Sequence, residues 1–140
     1  MEFFTCNEQQ TLEVGLKFAK QLCCGDVICL DGDLGAGKTV FCKVVALGLG
    51  VDCTITSPTF VLCCEYAAQS CNLVHIDAYR LHKVDISETG IDEKLNDEDN
   101  IVLVEWGKFL NLQYDYFVSI QNVGGNNRKI EILPFAFTDT

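Results

Sequence analysis

The segment Gly32-Asp33-Leu34-Gly35-Ala36-Gly37-Lys38-Thr39 constrains this chain more than any other stretch. Its glycines admit backbone angles closed to other residues, and it lies between two contrasting runs. Before it, Val27-Ile28-Cys29-Leu30 is short and continuously apolar, as in a strand covered on both faces. After it, a helix is predicted from Lys38 to about Leu49, closed by Gly48 and Gly50. Strand, glycine-rich turn and helix are the context that the pattern G-x-x-x-x-G-K-[ST] requires, and every fixed position is matched. In such a loop, successive backbone N–H groups converge on phosphate oxygens, and the positive end of the helix points at the same place. Lys38 is then expected to reach the outer phosphates as a point charge, with the Thr39 hydroxyl on a magnesium ion.

The flanking sequence predicts a layered α/β fold. Glu8 to Cys24 reads as a helix with apolar positions at Leu12, Leu16, Ala19, Leu22 and Cys23, ended by Gly25. Asp52 to Pro58 is polar and reads as a loop. Phe60 to Tyr66 and Asn72 to Ile76 are strand-like, with a turn over Ala67-Ala68-Gln69-Ser70. A short helix is expected from Glu88 or Ile91 to Leu95, followed by a buried strand, Ile101-Val102-Leu103-Val104. Tyr114 to Gln121 and Arg128 to Leu133 alternate apolar and polar side chains and should pair as a hairpin across Gly124-Gly125-Asn126-Asn127. The expectation is one domain over residues 1–140, a P-loop NTPase-like three-layer sandwich with a mixed sheet.

Composition narrows the partners. The formal charge is −10, with two arginines and eight lysines, so strong unaided binding to a phosphate backbone is not expected. If RNA is involved, a partner must supply the positive surface. No run approaches the ~20 apolar residues of a membrane span, and Met1-Glu2-Phe3-Phe4-Thr5 lacks the features of a secretory signal. A cytoplasmic protein with no membrane partner is expected. The nine cysteines are odd in number, form no C-x-x-C pair and mostly sit in apolar runs, which reads as reduced thiols packed as small hydrophobes.

Two carboxylates stand directly after apolar strands, where α/β proteins place ligand-binding groups. Asp77 follows Asn72-Leu73-Val74-His75-Ile76, and Glu105 follows Ile101-Val102-Leu103-Val104. Each is a candidate second metal ligand or water-orienting base; alone, either is equally a cap on the next turn. His75, on an apolar strand, is expected to be a hydrogen-bonded core residue, and Arg80 a turn-holding partner for an acid such as Asp77.

Four blocks occur here in the order and spacing of the TsaE (YjeE) family: Gly32 to Thr39, Thr56-Ser57-Pro58-Thr59-Phe60, His75-Ile76-Asp77-Ala78-Tyr79-Arg80-Leu81 and Val104-Glu105-Trp106. The chain resembles that family from Thr11 to the hairpin around Arg128. The resemblance implies the small ATPase of bacterial tRNA threonylcarbamoyladenosine synthesis, working with TsaD and TsaB and meeting tRNA only through that complex. It further implies that Asp33, Leu34, Gly35, Ala36, Gly37 and Lys38 hold the ATP phosphates, with Thr39 and Glu105 as Mg²⁺ ligands. Asp77 would be the catalytic, water-positioning carboxylate, Ser57-Pro58-Thr59 a switch segment sensing the terminal phosphate, and Trp106 a neighbour of the nucleotide. Thr11, Val40 and Arg128 fall at positions that approach ATP in relatives. The chain departs from the pattern at Val40, where a second hydroxyl is common, a loss of about 1 kcal/mol in nucleotide affinity. It departs again at Lys43, where an arginine is common; lysine keeps the charge and loses the planar fork.

Other classes fit less well. A small-molecule kinase surrounds the transferred phosphoryl group with several cations under a lid, and this chain has few arginines and no basic lid segment. A GTPase would carry N-K-x-D, which is absent. A nucleotide-gated scaffold differs from a slow, partner-dependent ATPase only in whether Asp77 and Glu105 do chemistry.

Overall fold

Among the described residues, seven strands form one mixed sheet in the order β1-β7-β6-β2-β5-β4-β3. They are β1 (Glu2–Thr5), β2 (Val27–Gly32), β3 (Cys63–Ala67), β4 (Asn72–Asp77), β5 (Asn100–Glu105), β6 (Tyr116–Gly124) and β7 (Asn127–Pro134), with helices α1 (Glu8–Ala19), α2 (Lys38–Gly48) and α3 (Ile91–Leu95). The structure, a computed structural model, describes residues 1–32, 37–51, 63–78, 91–107, 110 and 112–134. The expected loop Asp52–Pro58, the start of the strand at Phe60 and a helix start at Glu88 lie outside the described residues, as does Arg80.

The centre of the sheet is parallel. β2 pairs with both β5 and β6, and β4 pairs with β5, all in parallel. The continuous apolar runs seen in the sequence belong to these strands: Val27 to Leu30 and all of β5 are buried. The edges are antiparallel, β3 on β4 at one side and β6-β7-β1 at the other. This is the expected α/β sandwich with a mixed sheet. One face packs α1 and α2 through Val14, Phe18, Phe41 and Val45 onto Ile28, Leu30, Leu103 and Ile120. The other face gathers Val74, Ile76, Val102 and Val104 with Ile91 of α3 and Leu110. Phe18 links the helices to the sheet, 6.0 Å from the Phe41 ring and edge-on to Tyr116 at 5.3 Å.

Two expectations need correction, and one strand was missed. α1 ends at Ala19 rather than Cys24, and its buried stripe is Thr11, Val14, Gly15, Phe18 and Ala19. Leu12 and Leu16 are only half-buried, because the helix is rotated to set its glycine against α2. Beyond Ala19 the chain turns; Asp26 accepts from Cys23 N–H through its side chain at 2.8 Å, which competes with helical continuation. The strand β1 had no signal in the sequence: its four residues are too few to show a period, and it exists through pairing with β7. Finally, Cys24 and Cys71 form a disulfide, their Cα atoms 5.7 Å apart, instead of two reduced thiols. They are 47 residues apart in sequence, and the β3–β4 turn carries Cys71 to the turn before β2, a proximity that spacing cannot reveal. Cys29 and Cys42 are buried and form no disulfide, as expected.

Gly15 is one of the close approaches of α1 to α2: a Cβ built there would lie 2.5 Å from Val44 Cγ1. Gly15→Val is therefore expected to destabilise the fold by about 1–3 kcal/mol through overpacking. The check is urea unfolding, with a lower midpoint at unchanged slope; an unchanged midpoint would mean the helices have room to spare.

Candidate functional site

The C-terminal ends of the parallel strands meet at one line. Leu30 of β2 is in register with Glu105 of β5, and Glu105 with Asp77 of β4. Backbone bonds fasten the turn beyond: Trp106 N–H donates to Leu30 O at 3.0 Å, and Ala78 N–H to Glu105 O at 2.9 Å. Trp106 has φ 59°, the left-handed region, which turns the chain sharply and lays the indole beside the start of α2. Lys38 opens that helix. Its ammonium lies 3.8 Å from the centre of the Trp106 ring, donates to Gly32 O, and is buried. Gly37 precedes it with φ 106°, a conformation that glycine adopts without strain.

Glu105 is 5% exposed, and its Oε2 lies 2.7 Å from His75 Nε2. His75 is wholly buried, the hydrogen-bonded core residue anticipated from its strand. Cys42 lies one turn along α2 from Lys38 and close to the same pair. Burial pushes its thiol well above the usual range; the nearby Glu105 charge adds to that, and Lys38 opposes it. With no cation beside it, the protonated thiol is the favoured form.

A cleft adjoins Gly37 on the other side. It is lined by Thr11 from α1, Gly37 and Val40 from the loop end and α2, Ile120 from β6, and Asn126 and Arg128 from the final hairpin. A Cβ built on Gly37 would be 3.9 Å from Arg128 Nε, so the guanidinium stands against the loop. Its Nη1 donates to Gly125 O at 2.8 Å and Asn127 O at 3.0 Å. Thr11 Oγ1 shares a hydrogen bond with Thr5 Oγ1 at 2.9 Å, and Thr5 is in register with Arg128. Val40 is an exposed apolar side chain at the mouth.

Lys38, Glu105 and Trp106 thus come together at one end of the sheet, with Asp77 in register beside Glu105. Thr11, Gly37, Val40 and Arg128 come together in the neighbouring cleft. Thr39 sits half-buried in the first turn of α2. Asp33, Leu34, Gly35, Ala36 and Thr59 lie outside the described residues. Thr5, Asn7 and Glu8 were missed; they stand by the cleft only because β1 delivers them there, and that strand carried no pattern.

Trp106 is the chain's only tryptophan, so its emission reports this corner alone. An ammonium against the ring quenches the excited indole, and the contact is worth ~0.5–2 kcal/mol. Lys38→Met is expected to raise the emission intensity; an unchanged spectrum would place the ammonium away from the ring.

Comparison with known proteins adds to this geometry. The family profile described as "Threonylcarbamoyl adenosine biosynthesis protein TsaE" matches residues 5–130. A Mycobacterium tuberculosis protein named tRNA threonylcarbamoyladenosine biosynthesis protein TsaE is 43% identical over 110 residues, covering 73% of this chain and 66% of that protein. A protein of the same name from a Nostoc species is 32% identical over 142 residues, covering 98% of this chain and 88% of the relative. The crystal structure of Bacillus subtilis YdiB is similar with a TM-score of 0.76 and 29% identity, over 100% of this chain and 96% of that one.

Proposed function

The chain belongs to the TsaE family, and on that premise we propose that it binds and hydrolyses ATP within the machinery that makes N6-threonylcarbamoyladenosine in tRNA. The observation that carries the proposal is the convergence, at the ends of β2, β5 and β4, of a buried lysine ammonium, a buried carboxylate and a tryptophan ring next to the Gly37 turn. Lys38 exchanges its bond to Gly32 O for the outer phosphates, as a buried cation with a backbone carbonyl for a partner readily does. The backbone N–H groups of the loop from Asp33 to Gly37 hold the same phosphates.

Thr39 supplies a hydroxyl and Glu105 a carboxylate, an all-oxygen pair that suits Mg²⁺. Together they would hold a magnesium ion, whose chemistry would be to neutralise the charge of the outer phosphates. Asp77, beside Glu105 in register, orients the attacking water by accepting its hydrogen bond, and Thr59 belongs to the segment that senses whether the terminal phosphate is present. The nucleoside end of ATP enters the cleft of Thr11, Val40 and Arg128, and Trp106 lies alongside. Transition-state charge on the phosphates calls for a further cation. Intrinsic turnover is therefore slow, and TsaD and TsaB raise it. A surface of net charge −10 leaves tRNA contact to those partners.

The test is ATP hydrolysis with and without TsaD and TsaB. Asp77→Ala is expected to lower the stimulated rate by about 10²–10⁴-fold. Binding of ATP with no hydrolysis under any condition would leave a nucleotide-gated scaffold instead. Independently, ATP at a hundred times its Kd should stabilise the parent by about 2.7 kcal/mol and Lys38→Ala hardly at all. Equal protection of both in a thermal melt would put the phosphates elsewhere.

A further inference from the structure

We propose that Cys42, His75 and Glu105 form a second metal site, selective for a thiophilic divalent cation of the zinc class, which shares Glu105 with the magnesium position. Three elements build it: Cys42 comes from α2, His75 from β4 and Glu105 from the end of β5. One ligand atom from each, the Sγ, a ring nitrogen and a carboxylate oxygen, lies within 4.8 Å of the other two. Ligand bonds of about 2.0–2.3 Å then reach all three after side-chain movements of about an ångström.

The donor set decides which cation fits. Magnesium and calcium take oxygen, whereas a thiolate, an imidazole and one carboxylate suit zinc and its neighbours. Three protein ligands leave one position open for water or a phosphate oxygen. Burial is nearly complete, at 1% exposure for Cys42, 0% for His75 and 5% for Glu105, so water competes little for the ligand atoms.

His75 Nδ1 is fully buried and has no hydrogen-bond partner among the described residues, while Nε2 is engaged by Glu105. The ring's second nitrogen is thus open to carry the proton displaced from Nε2. The proton balance uses this atom. When Nε2 and the Glu105 oxygen turn to the cation, the ring proton moves from Nε2 to the bare Nδ1. Cys42 forms its metal–sulfur bond as a thiolate and releases one proton to solvent.

The consequence for regulation rests on the ATPase reading: a thiophilic cation held by Cys42 and His75 occupies Glu105, so it and Mg²⁺–ATP exclude one another. Nothing in the site itself depends on that reading.

The experiment uses Co²⁺ as a coloured stand-in for zinc, added to the full chain under anaerobic conditions. One equivalent is expected to give a thiolate-to-cobalt charge-transfer band, bleached by one equivalent of Zn²⁺ because zinc binds such sites more tightly. Cys42→Ser should lose the band, and His75→Gln should weaken Co²⁺ affinity by about 100-fold or more, beyond what losing a residue that merely supports a ligand costs. Thermal melts establish that both variants fold; should Cys42→Ser not fold, loss of the band in Glu105→Gln serves in its place. No band in the parent, or a band that survives in Cys42→Ser, overturns the site. Mg²⁺–ATP is expected to displace Co²⁺. ATP that binds the cobalt-free protein yet leaves the band intact would refute the sharing of Glu105, whereas a chain that binds cobalt and never ATP would refute the ATPase reading alone.

Discussion

The parallel register of β2, β5 and β4 is the constraint on which the rest of the site depends. Leu30, Glu105 and Asp77 are level with one another across three strands, and the side-chain period of a strand is two. A one-residue slip of β5 would turn Glu105 from the α2 face to the opposite face and bring Val104, now beneath α3, in its place. That slip is resisted because β5 is buried along its whole length, with Leu103 packing toward α1 and α2 and Val102 and Val104 away from them. The burial of strands that look merely apolar in sequence thus fixes where a carboxylate stands.

The two parts of the site have different origins. The end that holds Lys38, Glu105 and Trp106 is a product of parallel strands and the helix that follows the first of them. The cleft of Thr11 and Arg128 is made by the antiparallel side, where β7 places Arg128 level with Thr5 and α1 brings Thr11 onto Thr5. The acidic surface leaves both parts unaltered, since the interactions that matter there operate at contact distance, inside the range over which salt screens.

The central elements were legible because each carries its own local signal. Val27 to Leu30, Ile101 to Val104 and the helix after Gly37 announce themselves by apolar continuity, period and glycine, and they position Lys38 and Glu105. The family resemblance added what local patterns could not: that Thr11 and Arg128, distant in sequence, belong to one place. What stayed hidden was decided by tertiary partners. β1 is a strand because β7 offers it an edge. α1 faces inward with Gly15 rather than Leu12, since close approach to Val44 of α2 outweighs the burial of a larger side chain. The Cys24–Cys71 bond depends on how two turns meet, and so does the gathering of Cys42 with His75 and Glu105.

Trp106 turns through a region of backbone space that costs a side-chain-bearing residue about 1–2 kcal/mol. A glycine there would relieve that strain, yet it would also remove the ring's packing on the Val102 and Val104 face and the flat surface on which the Lys38 ammonium rests, a larger loss of about 3–5 kcal/mol. Robustness and use therefore both favour the ring, and the strained turn is the cost the fold bears for keeping it.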